Sequence, residues 1–202
     1  MSELLVRSAP LPDAGGSVLK VTPESAGWEY VGFEVLRLPA GESTERRAEG
    51  AEVCLVALSG SCAVSSGRRG WEIGGRKSPF DGLPHALYLP PGAPFRIEAI
   101  SGLELALCTA PAGEGADPLE VRPGDIEVES RGSGSMEREI RPILMEDRPA
   151  ERLLVVEVIT PQGHWSSYPP HKHDQDDPPR ERYLEETYYH RVSPEPGFAL
   201  QR

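Results

Sequence analysis

Short β-rich segments bounded by glycine, proline or serine recur along most of this chain. The 21 glycines and 21 prolines disfavour long helices, because glycine is flexible and proline lacks the N–H that a helix interior needs. β-Branched and aromatic residues fill the segments between the turns. This spacing predicts an all-β sandwich or barrel. The predicted strands are residues 31–38, 52–66, 85–90, 95–100, 103–110 and 152–160.

A change of composition near the middle of the chain predicts two domains. Residues 111–125 are rich in turn formers, and RGSGSM at 131–136 is more flexible still. We therefore expect an N-terminal barrel over residues 1–122, a linker over 123–136 and the start of a C-terminal barrel over 137–202. In this last part, the apolar run at 152–160 predicts a strand buried on both faces.

The acidic charge balance argues against two classes of partner. The net charge is −11, whereas nucleic acids and anionic membranes are bound through clustered Lys and Arg. The sequence contains no apolar run long enough to span a membrane, and its amino terminus lacks the apolar core of a signal peptide. Cys54, Cys62 and Cys108 are odd in number and form no CxxC pair, which predicts buried thiols in a reducing compartment. We expect a cytoplasmic location.

The segment 168–191, YPPHKHDQDDPPRERYLEETYYHR, carries the ligand types of a metal site. His171 and His173 are one residue apart, so on a strand both imidazoles point the same way. The acidic, prolyl stretch after them favours a loop, and LEETYYHR favours a second strand. Only one of Glu185 and Glu186 can share a face with the histidines. Two imidazoles and a carboxylate suit Zn, Mn or Fe(II), and a polar surface loop is the alternative.

These residues carry a resemblance to a known family. HKH, a short gap and a glutamate entering an aromatic strand are similar to the first metal motif of the cupin superfamily. SSYPPHKHD followed by YLEETYYHR resembles the 5-deoxy-glucuronate isomerases of myo-inositol catabolism and, more distantly, the 4-deoxy-5-threo-hexosulose-uronate ketol-isomerases of pectin breakdown. The resemblance implies a double cupin whose first barrel has lost its metal, with Phe95 where a ligand histidine is expected. It covers nearly all of the chain, most densely from Arg138 onward.

The resemblance places His171, His173 and Glu186 on the first three metal-ligand positions and prefers Glu186 to Glu185. It implies one divalent ion, with zinc first and manganese or Fe(II) as alternatives. A fourth ligand, a histidine on a later strand, is expected beyond the last residue. The second barrel is therefore expected to be incomplete in this chain.

The reaction implied by the resemblance is the isomerisation of 5-deoxy-D-glucuronate to 5-dehydro-2-deoxy-D-gluconate. A small sugar acid is then the substrate, and we expect the enzyme to be a homo-oligomer. His190, on the face of the predicted carboxylate ligand, and Glu185 are candidates for acid–base catalysis. For His190 a supporting role in the core is the alternative. Tyr188 is a candidate donor to a sugar hydroxyl, and Lys172 and Arg191 are candidate partners for the substrate carboxylate.

Two other functions fit the same residues. Two histidines and a carboxylate with open coordination positions also describe a non-haem Fe(II) oxygenase. A sugar-acid-binding or regulatory module without turnover is the second alternative, because a fourth ligand is expected but lies beyond the sequence. A regulator would usually bring a basic DNA-binding helix, and the sequence shows none. His85 is predicted to be an ordinary polar residue near a strand start, and His164 is predicted to be structural.

Overall fold

The computed structural model describes residues 5–167, 171–194 and 196–201. Within these residues the chain forms twelve strands, one short helix, α1 (Pro23–Ala26), and two 3-10 turns, Pro123–Asp125 and Gly134–Met136. None of the described helices is long and apolar enough to span a membrane. The strands are β1 (Ser17–Val21), β2 (Gly32–Leu38), β3 (Ser43–Arg47), β4 (Ala51–Ser66), β5 (Arg69–Arg76), β6 (Ala86–Leu89), β7 (Pro94–Ala99), β8 (Leu103–Pro111), β9 (Leu119–Val121), β10 (Glu129–Arg131), β11 (Arg138–Leu144) and β12 (Val155–Ile159).

Strands β1 to β9 form two antiparallel layers, which we call the first barrel. One layer has the order β1-β2-β8-β4-β6-β9, and the other contains β3, β7, β4 and β5. The long strand β4 belongs to both layers, because its first half pairs with β6 and β8 and its second half with β5 and β7. This arrangement is a jelly roll, and it confirms the predicted all-β, cupin-type fold class.

Apolar side chains fill the space between the two layers. Leu55 and Leu105 from one layer meet Ile73, Phe95 and Ile97 from the other. Each of these five side chains is at most 4% exposed. Phe95, where the resemblance places a ligand histidine, is therefore part of the hydrophobic core.

The larger layer is buried on both of its faces. Side chains alternate along β4, so that Val53 and Leu55 face the barrel interior while Cys54 and Val56 face a second apolar cluster. Side chains of β11 and β12, among them Leu144, cover this second cluster. A strand covered on both sides needs apolar residues at successive positions, which accounts for the run VCLVAL.

A separate three-stranded antiparallel sheet contains β10, β11 and β12. An ion network joins it to the first barrel. Both oxygens of Glu157 on β12 accept hydrogen bonds from Arg76 on β5, at 2.9 and 2.7 Å. Arg141 on β11 donates to the same carboxylate at 2.8 Å and to the carbonyls of Pro79 and Gly82. The network holds the second sheet against the first barrel.

The strand predicted over residues 152–160 is confirmed as β12, but the prediction that both of its faces are buried is wrong. Leu154, Val156 and Val158 are 45%, 46% and 37% exposed. These residues alternate with Val155 and Glu157, which face the first barrel, so one side of the strand is open in the described structure. The division of the chain into residues 1–122, 123–136 and 137–202 stays a prediction.

Candidate metal centre

Residues 171–191, the part of the predicted ligand segment that the structure describes, form a loop with two arms, 171–173 and 184–191. No regular strand occurs in the described residues 171–194, so the two strands predicted here are wrong. A hydrogen bond from Leu184 N to His173 O, at 3.2 Å, ties the arms together. Glu181 Oε1 accepts the N–H groups of Asp174 and Gln175 at 2.7 and 2.9 Å. Backbone donors beside the histidines thus bond to a carboxylate instead of a neighbouring strand.

Residues 185–190 still alternate in burial as a strand does. The odd-numbered residues are half-buried against the first barrel, and the even-numbered residues are exposed. Glu186, Tyr188 and His190 consequently share one face, as the sequence predicts. We call this the site face.

Three predicted ligands converge beside the site face. One ligand atom from each of His171, His173 and Glu186 lies within 4.8 Å of the others. The imidazole rings have centroids 5.5 Å apart, and His173 Nε2 lies 3.9 Å from Glu186 Oε1. Within the described ranges, these residues are the one group of His, Cys, Asp or Glu close enough to share an ion.

Both histidines have a hydrogen-bond partner at Nδ1. His173 Nδ1 lies 2.9 Å from the carbonyl oxygen of Arg182. A carbonyl can only accept, so Nδ1 carries the proton and the Nε2 lone pair is free to bind an ion. His171 Nδ1 forms a hydrogen bond with Ser167 Oγ at 2.9 Å. Such outer partners fix the ring orientation of metal-binding histidines.

The carboxylate ligand is oriented by a tyrosine. The Tyr188 hydroxyl donates to Glu186 Oε2 at 3.1 Å, while the other oxygen faces His173. Desolvation and the adjacent Glu186 raise the pKa of Tyr188 to about 12, so its hydroxyl remains a donor at neutral pH. The His190 ring stacks on Tyr188 with centroids 6.1 Å apart, and its Nε2 contacts Gln201 Oε1 at 2.9 Å.

The donor set fits a divalent ion. Two neutral imidazole nitrogens and one carboxylate oxygen are ligands that zinc, manganese and Fe(II) accept. Each ligand side chain also has an outer hydrogen-bond partner that restricts its orientation. The role of His171, His173 and Glu186 as metal ligands stays a prediction.

The structure does not bring Glu185 to this cluster. Its two carboxylate oxygens accept the backbone N–H groups of Glu29, Tyr30 and Val31 at 2.8, 2.8 and 2.9 Å. Desolvation raises the pKa of Glu185, but these backbone hydrogen bonds outweigh it and lower the pKa overall. Its predicted catalytic role has no support from this geometry and stays a prediction.

The two predicted substrate cations already have carboxylate partners. Lys172 Nζ lies 3.0 Å from Glu181 Oε2, and Arg191 Nη1 lies 2.7 Å from Glu104 Oε2. Lys172 is the more accessible of the two, with 54% of its side chain exposed against 39% for Arg191. Their roles in substrate binding stay predictions.

The remaining histidines make hydrogen bonds outside the cluster. His85 Nδ1 accepts the N–H of Gly74 at 3.2 Å, and its Nε2 lies 3.0 Å from Glu120. His164 Nδ1 lies 2.7 Å from the carbonyl oxygen of Glu137.

Sequence reasoning missed two residues that support this region. Ser167, beside His171, gives no signal that separates it from other serines. Glu104 does give one, because it is a charged residue inside the apolar run LELALC, and a buried charge requires a partner. Two of its partners, Tyr189 and Arg191, lie on the ligand segment.

The family can be decided by comparison with known proteins. The sequence profile of the KduI/IolB family matches residues 4–202. The chain belongs to the KduI/IolB family. Curated relatives are named 5-deoxy-glucuronate isomerase, an isomerase enzyme. The relative from Geobacillus thermodenitrificans is 48% identical over 205 residues, which cover 100% of this chain and 74% of the relative. The relative from Bacillus subtilis strain 168 is 41% identical over 188 residues, which cover 92% of this chain and 69% of the relative.

A solved family structure has the same fold. It is the crystal structure of an IolB-like protein from Salmonella typhimurium, which superimposes with a TM-score of 0.80 at 36% sequence identity. The match covers 88% of this chain and 69% of that protein. The resemblance read from the ligand segment is thereby confirmed at the level of the family.

Proposed function

We propose that this chain is a metal-dependent aldose–ketose isomerase that converts 5-deoxy-D-glucuronate to 5-dehydro-2-deoxy-D-gluconate. The observation that carries the proposal is the convergence of ligand atoms from His171, His173 and Glu186 within 4.8 Å. It occurs in a chain 48% identical to relatives that bear the isomerase name. Assembly into a homo-oligomer and a cytoplasmic location stay predictions.

One divalent ion is assigned to these three residues, zinc first and manganese or Fe(II) as alternatives. A bound ion would supply Lewis acidity at the carbonyl and adjacent hydroxyl oxygens of the sugar, stabilising negative charge as the C–H proton leaves. The Tyr188 hydroxyl and the Arg182 carbonyl keep two of the ligands in orientation. The sugar is assigned to the solvent-exposed side of the cluster, since His171 and Glu186 are exposed.

The isomerisation needs a group that moves one proton between neighbouring carbons. The proton that leaves C2 is returned to C1, and the proton of the C2 hydroxyl is transferred to the C1 oxygen. His190 lies on the site face, and with Nε2 bonded to Gln201 its Nδ1 is the basic nitrogen. We prefer it to Glu185, whose oxygens are engaged by three backbone N–H groups and whose pKa is lowered.

The substrate is a sugar acid, so its carboxylate needs a cation. We assign this role to Lys172, with Arg191 as the alternative. Lys172, whose side chain is 54% exposed, would exchange Glu181 for the substrate carboxylate, while Glu181 would keep the backbone N–H groups of Asp174 and Gln175 as partners. The role of Tyr188 as a donor to a sugar hydroxyl stays a prediction, because its single hydroxyl proton is donated to Glu186 in the structure.

His171→Ala and Glu186→Gln test the proposal. Removing one of three ligands is expected to weaken metal binding at least ~100-fold and to lower kcat/KM by ~10³-fold or more. Metal content is measured by elemental analysis after chelation and reloading. Turnover of 5-deoxy-D-glucuronate is followed by proton NMR, and circular dichroism checks the fold.

His164→Ala is the matched control, since it removes an imidazole that lies outside the cluster, with Nδ1 2.7 Å from the Glu137 carbonyl oxygen. It is expected to keep metal and turnover. A Glu186→Gln protein that loses the ion but turns over at the wild-type rate would contradict the proposal. Turnover that requires dioxygen would instead favour the oxygenase alternative.

A further inference from the structure

Glu104 is a buried carboxylate in an apolar strand, and its contacts lead to the ligand segment. It lies on β8 and is 7% exposed. Burying a carboxylate is costly unless it is paired and hydrogen-bonded. Arg191 Nη1 contacts both of its oxygens, at 2.9 and 2.7 Å, Tyr189 Oη donates at 2.9 Å and Arg37 Nη2 at 3.3 Å. Two of these three donors belong to the extended arm that carries the site face.

The two Glu104 partners on this arm, Tyr189 and Arg191, lie on either side of His190. Tyr189 and Arg191 are two residues apart and point to the first barrel, while His190 between them points to the site face. The Tyr189 ring also packs on Phe33, with centroids 5.6 Å apart. A shift of the Glu104 carboxylate would therefore move the backbone that carries the site face.

A second anchor holds the other end of the same arm. The Glu185 carboxylate accepts three backbone N–H groups of the loop before β2. Glu186, the assigned ligand, follows it directly. The arm is thus attached to the first barrel at both ends, and the site face lies between the attachments.

We propose that Glu104 is a positioning residue for the metal centre. From the first barrel it fixes the backbone that presents Glu186, acting through its two partners on the arm. The inference rests on the proposed function, because it requires that Glu186 binds an ion. A functional ligand must be held within ~0.5 Å of its productive position. Without the Glu104 anchor, part of the binding energy of the ion would be spent on ordering the arm.

Glu104→Gln tests this role, because it keeps the side-chain size but removes the charge that pairs with Arg191. Cobalt(II) is the metal probe, since its visible absorption reports the arrangement of its ligands. We expect cobalt(II) to bind ~10- to 100-fold more weakly, as for lost outer-shell partners of other metal sites, and with an altered spectrum. Urea unfolding of each variant ensures that binding is compared between folded proteins.

Glu34→Gln is the matched control. Glu34 lies on β2 of the same barrel, its side chain is 13% exposed, and it pairs with Arg46 at 3.1 Å. A general loss of barrel stability would affect both variants, whereas a loss of positioning would affect only Glu104→Gln. The control is expected to bind cobalt(II) within ~2-fold of wild type and with an unchanged spectrum.

Tyr189→Phe provides a second, milder test should Glu104→Gln fail to fold. It removes one hydrogen bond to Glu104 and keeps the ring on Phe33, and we expect ~10-fold weaker cobalt(II) binding. Wild-type affinity and spectrum in the folded variants would overturn the positioning role while leaving the metal centre standing. A wild-type chain that binds no cobalt(II) would overturn the metal centre and this inference together.

Discussion

The three cysteine thiols are predicted to be unreactive in the native protein. All are free, and Cys54 lies directly opposite Cys108 across β4 and β8. Desolvation by burial raises the pKa of Cys62 and of Cys108 to about 12, and raises that of Cys54 as well. Since the thiolate is the reactive form, we expect a thiol reagent at about pH 8 to label none of them in the native state and all three in denaturant. Rapid labelling of the folded chain would contradict this.

The site residues that could be predicted are those whose arrangement follows from local sequence. The spacing of His171 and His173 and the strand-like alternation around Glu186 predicted which side chains converge, because both follow from local chain geometry. The local sequence could not show whether Glu185 is a catalytic base or a residue that binds backbone N–H groups. Its actual partners are backbone N–H groups more than 150 residues away in sequence, and no local pattern contains them.

The strands also differ in whether they can be predicted from local sequence or depend on a partner that is distant in sequence. β2, β4, β6, β7 and β8 were predicted to within one or two residues, because apolar residues and flanking turns define them. β5 was not predicted, because its sequence RGWEIGGR is rich in glycine and charged residues. Its pairing partner in the sheet is β4. At the site, LEETYYHR has a high β-propensity, yet no regular strand occurs in the described residues 171–194, because propensity alone does not supply a pairing partner.

The connection into β12 depends on one carboxylate of β4. Glu52 is completely buried and accepts the hydroxyl of Tyr88 at 2.8 Å. It also accepts the N–H groups of Glu151, Arg152 and Leu153 at 2.9, 2.7 and 2.8 Å. One side chain therefore satisfies the backbone of a whole turn of the segment that precedes β12.

Glu52→Gln should lower the free energy of unfolding by about 2–4 kcal/mol, because the amide presents donors to N–H groups that need an acceptor. Urea denaturation measures the change. Glu45→Gln is the control, since Glu45 has a 79% exposed side chain and lies 3.9 Å from Arg96. Its effect should stay below about 0.5 kcal/mol. Equal effects of the two substitutions would contradict the anchoring role.

At the scale of the whole molecule, acid should weaken the attachment of the later part of the chain to the first barrel. Glu151 accepts the N–H groups of Gly113 at 2.9 Å and Glu114 at 3.3 Å. These backbone hydrogen bonds lower the pKa of Glu151 below its ordinary value of 4.5. A lowered carboxyl pKa means that the native state binds the proton less readily than the unfolded state. Its stabilising effect is therefore fully present above pH 4.5 and is lost as the pH falls through the native pKa.

Glu151→Gln should consequently reduce stability near neutral pH but not in strong acid, where the wild-type carboxyl is itself neutral. The measurement is the free energy of urea unfolding of both proteins as the pH is lowered from neutrality. We expect the difference between them to shrink below pH 4.5. A difference that is constant over the whole range would mean that the charge of Glu151 contributes nothing.

The sharing of β4 by both layers has a consequence for the order in which the chain can fold. The strand spans Ala51–Ser66, yet all of its partners, β5, β6, β7 and β8, are made after it. Pairing of its first half with β8 is complete only after Pro111 has been synthesised. Until then a long apolar strand has unpaired edges, the state in which growing chains aggregate or require chaperones. β4, which pairs with strands of both layers in the finished barrel, is thus prone to aggregation while the chain is being synthesised.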